Sequence, residues 1–410
     1  MKFATKLLHE IPPDKITGST TTPIYQTAAY CQDTAENLEK IFAGHKPGFV
    51  YSRIGNPTVA NFERRIAALE NGAGAVAFSS GMAAISAAVL NIVESGDEII
   101  ASGGLFGGTS DFFKELKNFG VNVKYVVENQ VEKFSELITD KTKIIYVETI
   151  GNPKLDVSDI KSLAKLAHEN NLLLFVDSTV TTPYLIQPLE LGADVVIHST
   201  SKMINGGGNS IGGIVVTGKN FSGNAKNFPK LEDFQKFGAM SYLARLRAKM
   251  LTNFGGCAAP FNIFLTGIGL DTLEIRMERA CDNALKLAEF LSAQKNIRVN
   301  YPGLENNFYK KLAAKQFNNH FGTMLTINFS DKEKAFNFIN RLNFALNESN
   351  IGDVRTLVIH PASTIYFHAN ESEKFNAGVT DNLVRVNVGI ENIEDLIEDF
   401  EQALVQLSLR

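Results

Sequence analysis

Cysteine is scarce in this chain: Cys31, Cys257 and Cys281 are the only ones among 410 residues. Three scattered thiols, odd in number, exclude a disulfide framework and a cysteine-built metal site, and suit a reducing cytoplasm. No metal is expected. An excess of basic charge is also missing. The chain has 40 lysines and arginines against 44 acidic residues, a net charge of −4, and so offers no basic stripe for nucleic acid. The opening "MKFATKLLHEIPPDK" lacks an apolar core of signal-peptide length, and no secretory leader is expected. Long hydrophobic runs are absent too. The nearest approach, Ala73 to Val93, is broken by Ser79, Ser80, Gly81, Ser86 and Asn91. It reads as a strand, a turn and a buried helix, not as a membrane span.

What is present looks like an ordinary enzyme, with 44% hydrophobic and 20% charged residues. The chain is too long for one ordinary core. Apolar runs of strand length, "GAVAFSS", "DEIIAS", "VNVKYVV", "TKIIYVET", "NLLLFVDST", "ADVVIHST" and "GGIVVTG", alternate with helical stretches such as "DIKSLAKLAHEN". That alternation predicts an α/β fold with a mostly parallel sheet and helices on both faces. Residues 1–60, rich in Thr, Pro and Gly, read as an extended arm, and 61–265 as the large domain. Residues 266–410, opening on the long helix "DTLEIRMERACDNALKLAEFLSAQ", read as a smaller α+β domain. The polar stretch Lys219 to Asp233 reads as a surface insertion.

Ligands of open parallel sheets bind at the carboxyl ends of the strands. Five strand ends carry polar or aromatic groups: Ser80, Gly81 and Met82; Phe106; Glu148 and Asn152; Asp177 and Thr179; Ser199, Ser201 and Lys202. Lys202 has three readings. It is an exposed loop lysine, a phosphate-loop lysine, or a Schiff-base lysine holding pyridoxal phosphate. The glycines follow it, whereas a phosphate loop puts them before. Burial would make it a usable nucleophile and base. Asp177 ends a run apolar enough to be buried, and a buried carboxylate needs a partner such as a protonated pyridine nitrogen. Its plainer role is a helix cap. "SSGMAA" ends a strand and starts a helix, which favours an anion at Gly81, or serves only as a capped turn. Phe106 is a stacking ring or a core residue. Arg385 grips a carboxylate from inside or lies on a surface strand. "YSRIGNPT" lies in the arm without an obvious local partner.

Taken in order, "TTPIYQTAAY", "YSRIGNPT", "SSGMAA", "ETIGNP", "VDSTVTTPYLIQPLELGADVVIHSTSK", "GDVRTLVIHPAST" and "NLVRVNVGIEN" span nearly the whole chain. In these motifs the chain resembles the Cys/Met-metabolism family of fold-type I pyridoxal-phosphate enzymes, its sulfhydrylase branch most closely. The resemblance implies Lys202 as the cofactor-bound lysine and proton shuttle. It implies Asp177 on the pyridine nitrogen, with Thr179 beside it. Ser80, Gly81, Met82, Ser199 and Ser201 would hold the phosphate, joined by Tyr51 and Arg53 from a neighbouring subunit. Phe106 would stack on the ring, Asn152 would lie near the phenolic oxygen, and Arg385, Asn350 and Asn152 would bind the substrate. Tyr51 and Phe106 stand with Lys202 in the catalytic set. The implied partners are an amino-acid substrate, a thiol donor and further copies of the chain, as a dimer with shared sites assembled into a tetramer. No nucleic acid or membrane partner is expected.

Several positions depart from the family pattern. Phe106 stands where a tyrosine is usual. Met203 and Gly207 replace a tyrosine and the histidine of a Gly-His-Gly stretch, and Ile365-Tyr366 replaces a Thr-His pair. The expected activity is γ-replacement on O-acetylhomoserine or a similar ester. The alternatives are a γ- or β-lyase acting on methionine or cystathionine, and a weakly catalytic cofactor-binding regulatory homologue.

Overall fold

A computed structural model describes residues 1–221 and 223–408. All seven apolar runs are strands: β1 (Gly74–Phe78), β2 (Glu98–Ser102), β3 (Asn122–Val126), β4 (Thr142–Glu148), β5 (Leu173–Asp177), β6 (Val195–His198) and β7 (Gly213–Thr217). They form one sheet in the order β1-β7-β6-β5-β4-β2-β3. Only β7 runs against its neighbours; β6, β5, β4, β2 and β3 are mutually parallel.

Both faces of the sheet are covered, because successive side chains point to opposite sides. Ile145 and Val147 of β4, with Leu174 and Val176 of β5, join one core cluster, together with Phe62 and Ile66 of helix Pro57–Leu69 and with Leu163 and Ala167 of helix Ile160–Glu169. Ile144, Tyr146, Leu173 and Phe175 join the opposite cluster, with Ala84 and Ile85 of helix Gly81–Leu90 and Phe113 of helix Gly107–Leu116. Continuous apolar runs are therefore required, and alternation would have failed.

Five further strands, β8 (Arg298–Asn300), β9 (Met324–Asn328), β10 (Leu346–Asn347), β11 (Leu357–Ile359) and β12 (Leu383–Asn387), form a second sheet ordered β10-β11-β12-β9-β8. It is antiparallel apart from the β10–β11 pair. Its residues Leu325, Ile327, Val384 and Val386 belong to the same cluster as one face of the first sheet, bridged by Met277, Ala284 and Leu287 of helix Leu273–Ser292.

Two expectations need correction. Residues 1–60 are not extended throughout, since they contain helices Phe3–His9 and Ala35–Phe42. The stretch Lys219 to Asp233 (Ser222 lies outside the described residues) is not a mere surface insertion. Its Phe221, Phe228 and Leu231 are buried in the second cluster, and Phe221 packs on Tyr242. Three apolar residues at irregular spacing leave no periodic signal. Among the described residues no helix is long and apolar enough to cross a membrane, and no group of acidic, histidine or cysteine side chains could hold a metal ion.

Candidate active site

The parallel strands bring Ser80, Phe106, Glu148, Asp177 and Ser199 to one edge of the sheet. β1 ends in a turn that starts helix Gly81–Leu90, and Ser80 caps it by accepting from the Ala83 amide at 3.0 Å. The capped-turn reading of Ser80 is thus right, and its oxygen is engaged there. The Gly81 and Met82 amides have no acceptor among the described residues and lie at the positive end of the helix dipole. A Cβ on Gly81 would sit 2.7 Å from Ser199 Cβ and 2.8 Å from its hydroxyl. Only glycine permits this approach, which brings Ser199, whose hydroxyl has no partner among the described residues, against the start of the helix. Ser201 braces the loop: its hydroxyl donates to Gly212 O at 3.1 Å and accepts from the Gly212 amide at 3.0 Å. Thr179 ties the next strand in, its amide donating to Asp177 Oδ1 at 3.0 Å and its hydroxyl accepting from the Ser199 amide at 2.8 Å.

Asp177 is buried and has no ion-pair partner among the described residues. Burial pushes its carboxyl above the ordinary range, against smaller opposing effects of Thr179 and His198. Glu148 lies directly across the strand pair from it. Burial, and then the charge of Asp177, push Glu148 well above its usual range. Two adjacent buried carboxyls cannot both ionise cheaply. A cation at Asp177 leaves Glu148 as the neutral one. Glu148 accepts from the Phe106 amide at 2.6 Å.

Lys202 is half-buried, not an exposed loop lysine, and its Nζ donates to Asn350 Oδ1 at 2.5 Å. Burial, and then the charge of Arg385, lower its pKa. Arg385 on β12 is 2% exposed, which overturns the surface alternative. Its guanidinium donates to Asn152 Oδ1 at 3.1 Å, Ser349 O at 3.2 Å and Asn350 O at 3.0 Å. Burial pulls it down to about 10, which leaves it charged at neutral pH. Among the described residues its acceptors are all neutral, and a buried cation so held favours an anion beside it.

Phe106 is 38% exposed, so it is no core residue, and its ring lies with the Met82 sulfur around Gly108. Tyr51 and Arg53 are not joined to this cluster by any hydrogen bond among the described residues. They do have partners, though not in this cluster. The Arg53 guanidinium donates to Thr252 O and stands 5.4 Å over the half-exposed Tyr51 ring. Reasoning from sequence missed the pair His198 and Glu70, both fully buried, with Nε2 and Oε1 2.7 Å apart. They meet across 128 residues of chain with no local signal.

The residues present fit pyridoxal phosphate: amides and a hydroxyl without partners among the described residues for an anion, a buried carboxyl without an ion pair for a cation, and an amine of lowered pKa for an aldehyde.

A model of the family described as Cys/Met metabolism PLP-dependent enzymes matches residues 4–405. The homocysteine synthase of Schizosaccharomyces pombe is 39% identical, over 98% of this chain and 98% of its own. The L-methionine gamma-lyase of Fusobacterium nucleatum subsp. polymorphum is 37% identical, over 99% of this chain and 98% of its own. A crystal structure from Campylobacter jejuni, described as an O-acetylhomoserine (thiol)-lyase with a pyridoxyl-lysine phosphate, covers 99% of this chain with 100% of its own, at 32% identity and a TM-score of 0.94. Likeness of this extent leaves one conclusion: the chain belongs to the Cys/Met-metabolism family of pyridoxal-phosphate-dependent enzymes, and pyridoxal phosphate is its cofactor.

Proposed function

We propose that the protein catalyses γ-replacement: O-acetylhomoserine, or a similarly activated homoserine ester, reacts with sulfide or a thiol to give homocysteine or a thioether and the released acid. The carrying observation is that one residue joins the base to the anion site. Asn350 accepts from Lys202 Nζ through its side chain and from Arg385 through its carbonyl. An amino acid whose carboxylate sits on Arg385 presents its α-hydrogen to Lys202. Bound there, pyridoxal phosphate supplies an electron sink for the negative charge that develops at the α-carbon.

The remaining work falls to side chains. Lys202, neutral more readily than an ordinary lysine, removes the α-proton and then moves a proton from the β-carbon. Asp177 holds the positive pyridine nitrogen, and Asn152 keeps Arg385 in place. The Gly81 and Met82 amides and the Ser199 hydroxyl take the phosphate, and Ser201 holds the loop beside them through Gly212. The γ-acyloxy group departs as a carboxylate anion, and the thiol sulfur bonds to the γ-carbon. Phe106 has no hydroxyl to protonate a leaving group, which suits an acid anion better than a thiolate. The test is to incubate the enzyme with O-acetylhomoserine, with and without sulfide. Homocysteine and acetate with sulfide support the proposal. α-Keto acid and ammonia in both tubes would establish the lyase reading, which the methionine γ-lyase relative makes the second choice. Phe106→Tyr should raise turnover of methionine more than that of the ester, and equal changes would remove the leaving-group argument.

We further infer that Tyr51 and Arg53 serve the cofactor of a neighbouring subunit, in an isologous dimer and a tetramer of such dimers, within the reducing cytoplasm that three unpaired cysteines suit. Tyr51 is 43% exposed and unattached to its own chain's site. Arg53→Ala should weaken cofactor retention on the order of tenfold, the loss of a charge-assisted bond. A monomer fully active at high dilution would exclude a shared site.

A further inference from the structure

Phe106 is the N-cap of helix Gly107–Leu116, its carbonyl accepting from the Thr109 and Ser110 amides at 3.0 and 3.1 Å, and on its other side the loop carries Gly103 and Gly104. The helix holds one side of Phe106, while the glycine pair leaves the backbone on the other side free to turn unless something holds it. The peptide between Leu105 and Phe106 is held at both of its polar ends. Its N–H donates to Glu148 Oε1 at 2.6 Å. Its carbonyl, Leu105 O, accepts from the Tyr366 hydroxyl at 3.0 Å. The same hydroxyl lies 3.3 Å from Asn152 O, and Asn152 Oδ1 accepts from Arg385 at 3.1 Å.

Tyr366 is itself well seated. It is 5% exposed, packs with Ala362, Ala377 and Val379, and its amide donates to Pro361 O at 3.0 Å. An ion pair of 2.9 Å between Lys114 and Glu373 ties helix Gly107–Leu116 to the neighbouring helix Glu371–Asn376. The phenol thus reaches the loop from a segment placed without it.

We propose that Tyr366 is a positioning residue: with Glu148 it clamps the Leu105–Phe106 peptide, aims the Phe106 ring at the cofactor, and couples that ring to the Asn152–Arg385 carboxylate site. Both of its partners are carbonyls, which only accept, so its proton is committed to them and is not available to a leaving group. Burial also raises the phenol's pKa. Glu148 serves the clamp as an acceptor, through Oε1. The proposal rests on the reading that Phe106 stacks on the cofactor, and the test separates the two.

The chain contains no tryptophan. In Phe106→Trp the indole emission reports that ring alone, and its time-resolved anisotropy can be read in apoprotein as well as holoenzyme. Adding Tyr366→Phe should enlarge the fast rotational component in the apoprotein. In the Phe106 background, Tyr366→Phe should weaken pyridoxal-phosphate affinity about two- to tenfold, the effect of one hydrogen bond. Glu148→Gln keeps the acceptor and should preserve slow rotation, whereas Glu148→Leu should lose it. If Tyr366→Phe leaves the anisotropy unchanged, the clamp does not exist. If it lowers kcat a hundredfold or more at unchanged cofactor affinity, Tyr366 transfers protons and the positioning role is wrong. Phe106→Ala with parental cofactor affinity would instead overturn the stacking reading, while the apoprotein anisotropy still decides the clamp.

Discussion

Lys202→Ala should purify without covalently attached cofactor, and borohydride should fix none to the protein. Turnover should fall by about 10³-fold or more, since a positioned general base alone contributes 10²–10⁴. In the parent, borohydride reduction and peptide mapping should find the cofactor on Lys202, and finding it on any other lysine would refute the assignment. The reason is local: burial and the neighbouring charge of Arg385 lower the pKa of the amine. A lowered lysine also carries a pH signature. Between its folded value and the ordinary 10.5, the unfolded chain binds the extra proton. Apoprotein stability therefore rises with pH across that window and stays reduced below it. Lys202→Ala removes this slope, so its apoprotein should lose less melting temperature than the parent as pH falls through the window. Identical pH profiles would mean that Lys202 is not desolvated in solution.

Arg385→Ala should lower kcat/KM for the amino-acid substrate on the order of 10²- to 10³-fold, the loss of a bidentate charged contact to carboxylate. KM for sulfide should not change, because sulfide has no carboxylate to bind. Arg385→Lys should fall between the two, keeping the charge and losing the planar fork. The expectation follows from a buried guanidinium that, among the described residues, donates to Asn152, Ser349 and Asn350 oxygens and has no acidic partner. Wild-type kcat/KM in Arg385→Ala would move the carboxylate site elsewhere. A matching rise in the KM for sulfide would point to general damage to the fold.

Much of the sheet was legible, because a strand buried on both faces has to be apolar at every position, as "LLLFV" before Asp177 is. The ends of such runs were legible as well: a polar residue there marks where the strand leaves the core. The interior stretch Lys219 to Asp233 was not, since Phe221, Phe228 and Leu231 follow no period and find their places only against Tyr242 and its neighbours. The arm misled for a similar reason. Arg53 seemed to lack a partner because Thr252 lies 199 residues further along the chain.

By itself the sequence determined the mostly parallel first sheet, the strand ends that carry Ser80, Phe106, Asp177 and Ser199, and the pyridoxal-phosphate family. Each of these depends on local pattern or on ordered motifs. Tertiary structure alone decided that Arg385 points inward and that Asn350 lies between it and Lys202. It also decided that Glu148 lies buried beside Asp177, which raises its pKa, and that Tyr366 meets the peptide before Phe106 from 261 residues away. Charge state and contact depend on burial and on which strands become neighbours, and no short stretch of sequence carries that information.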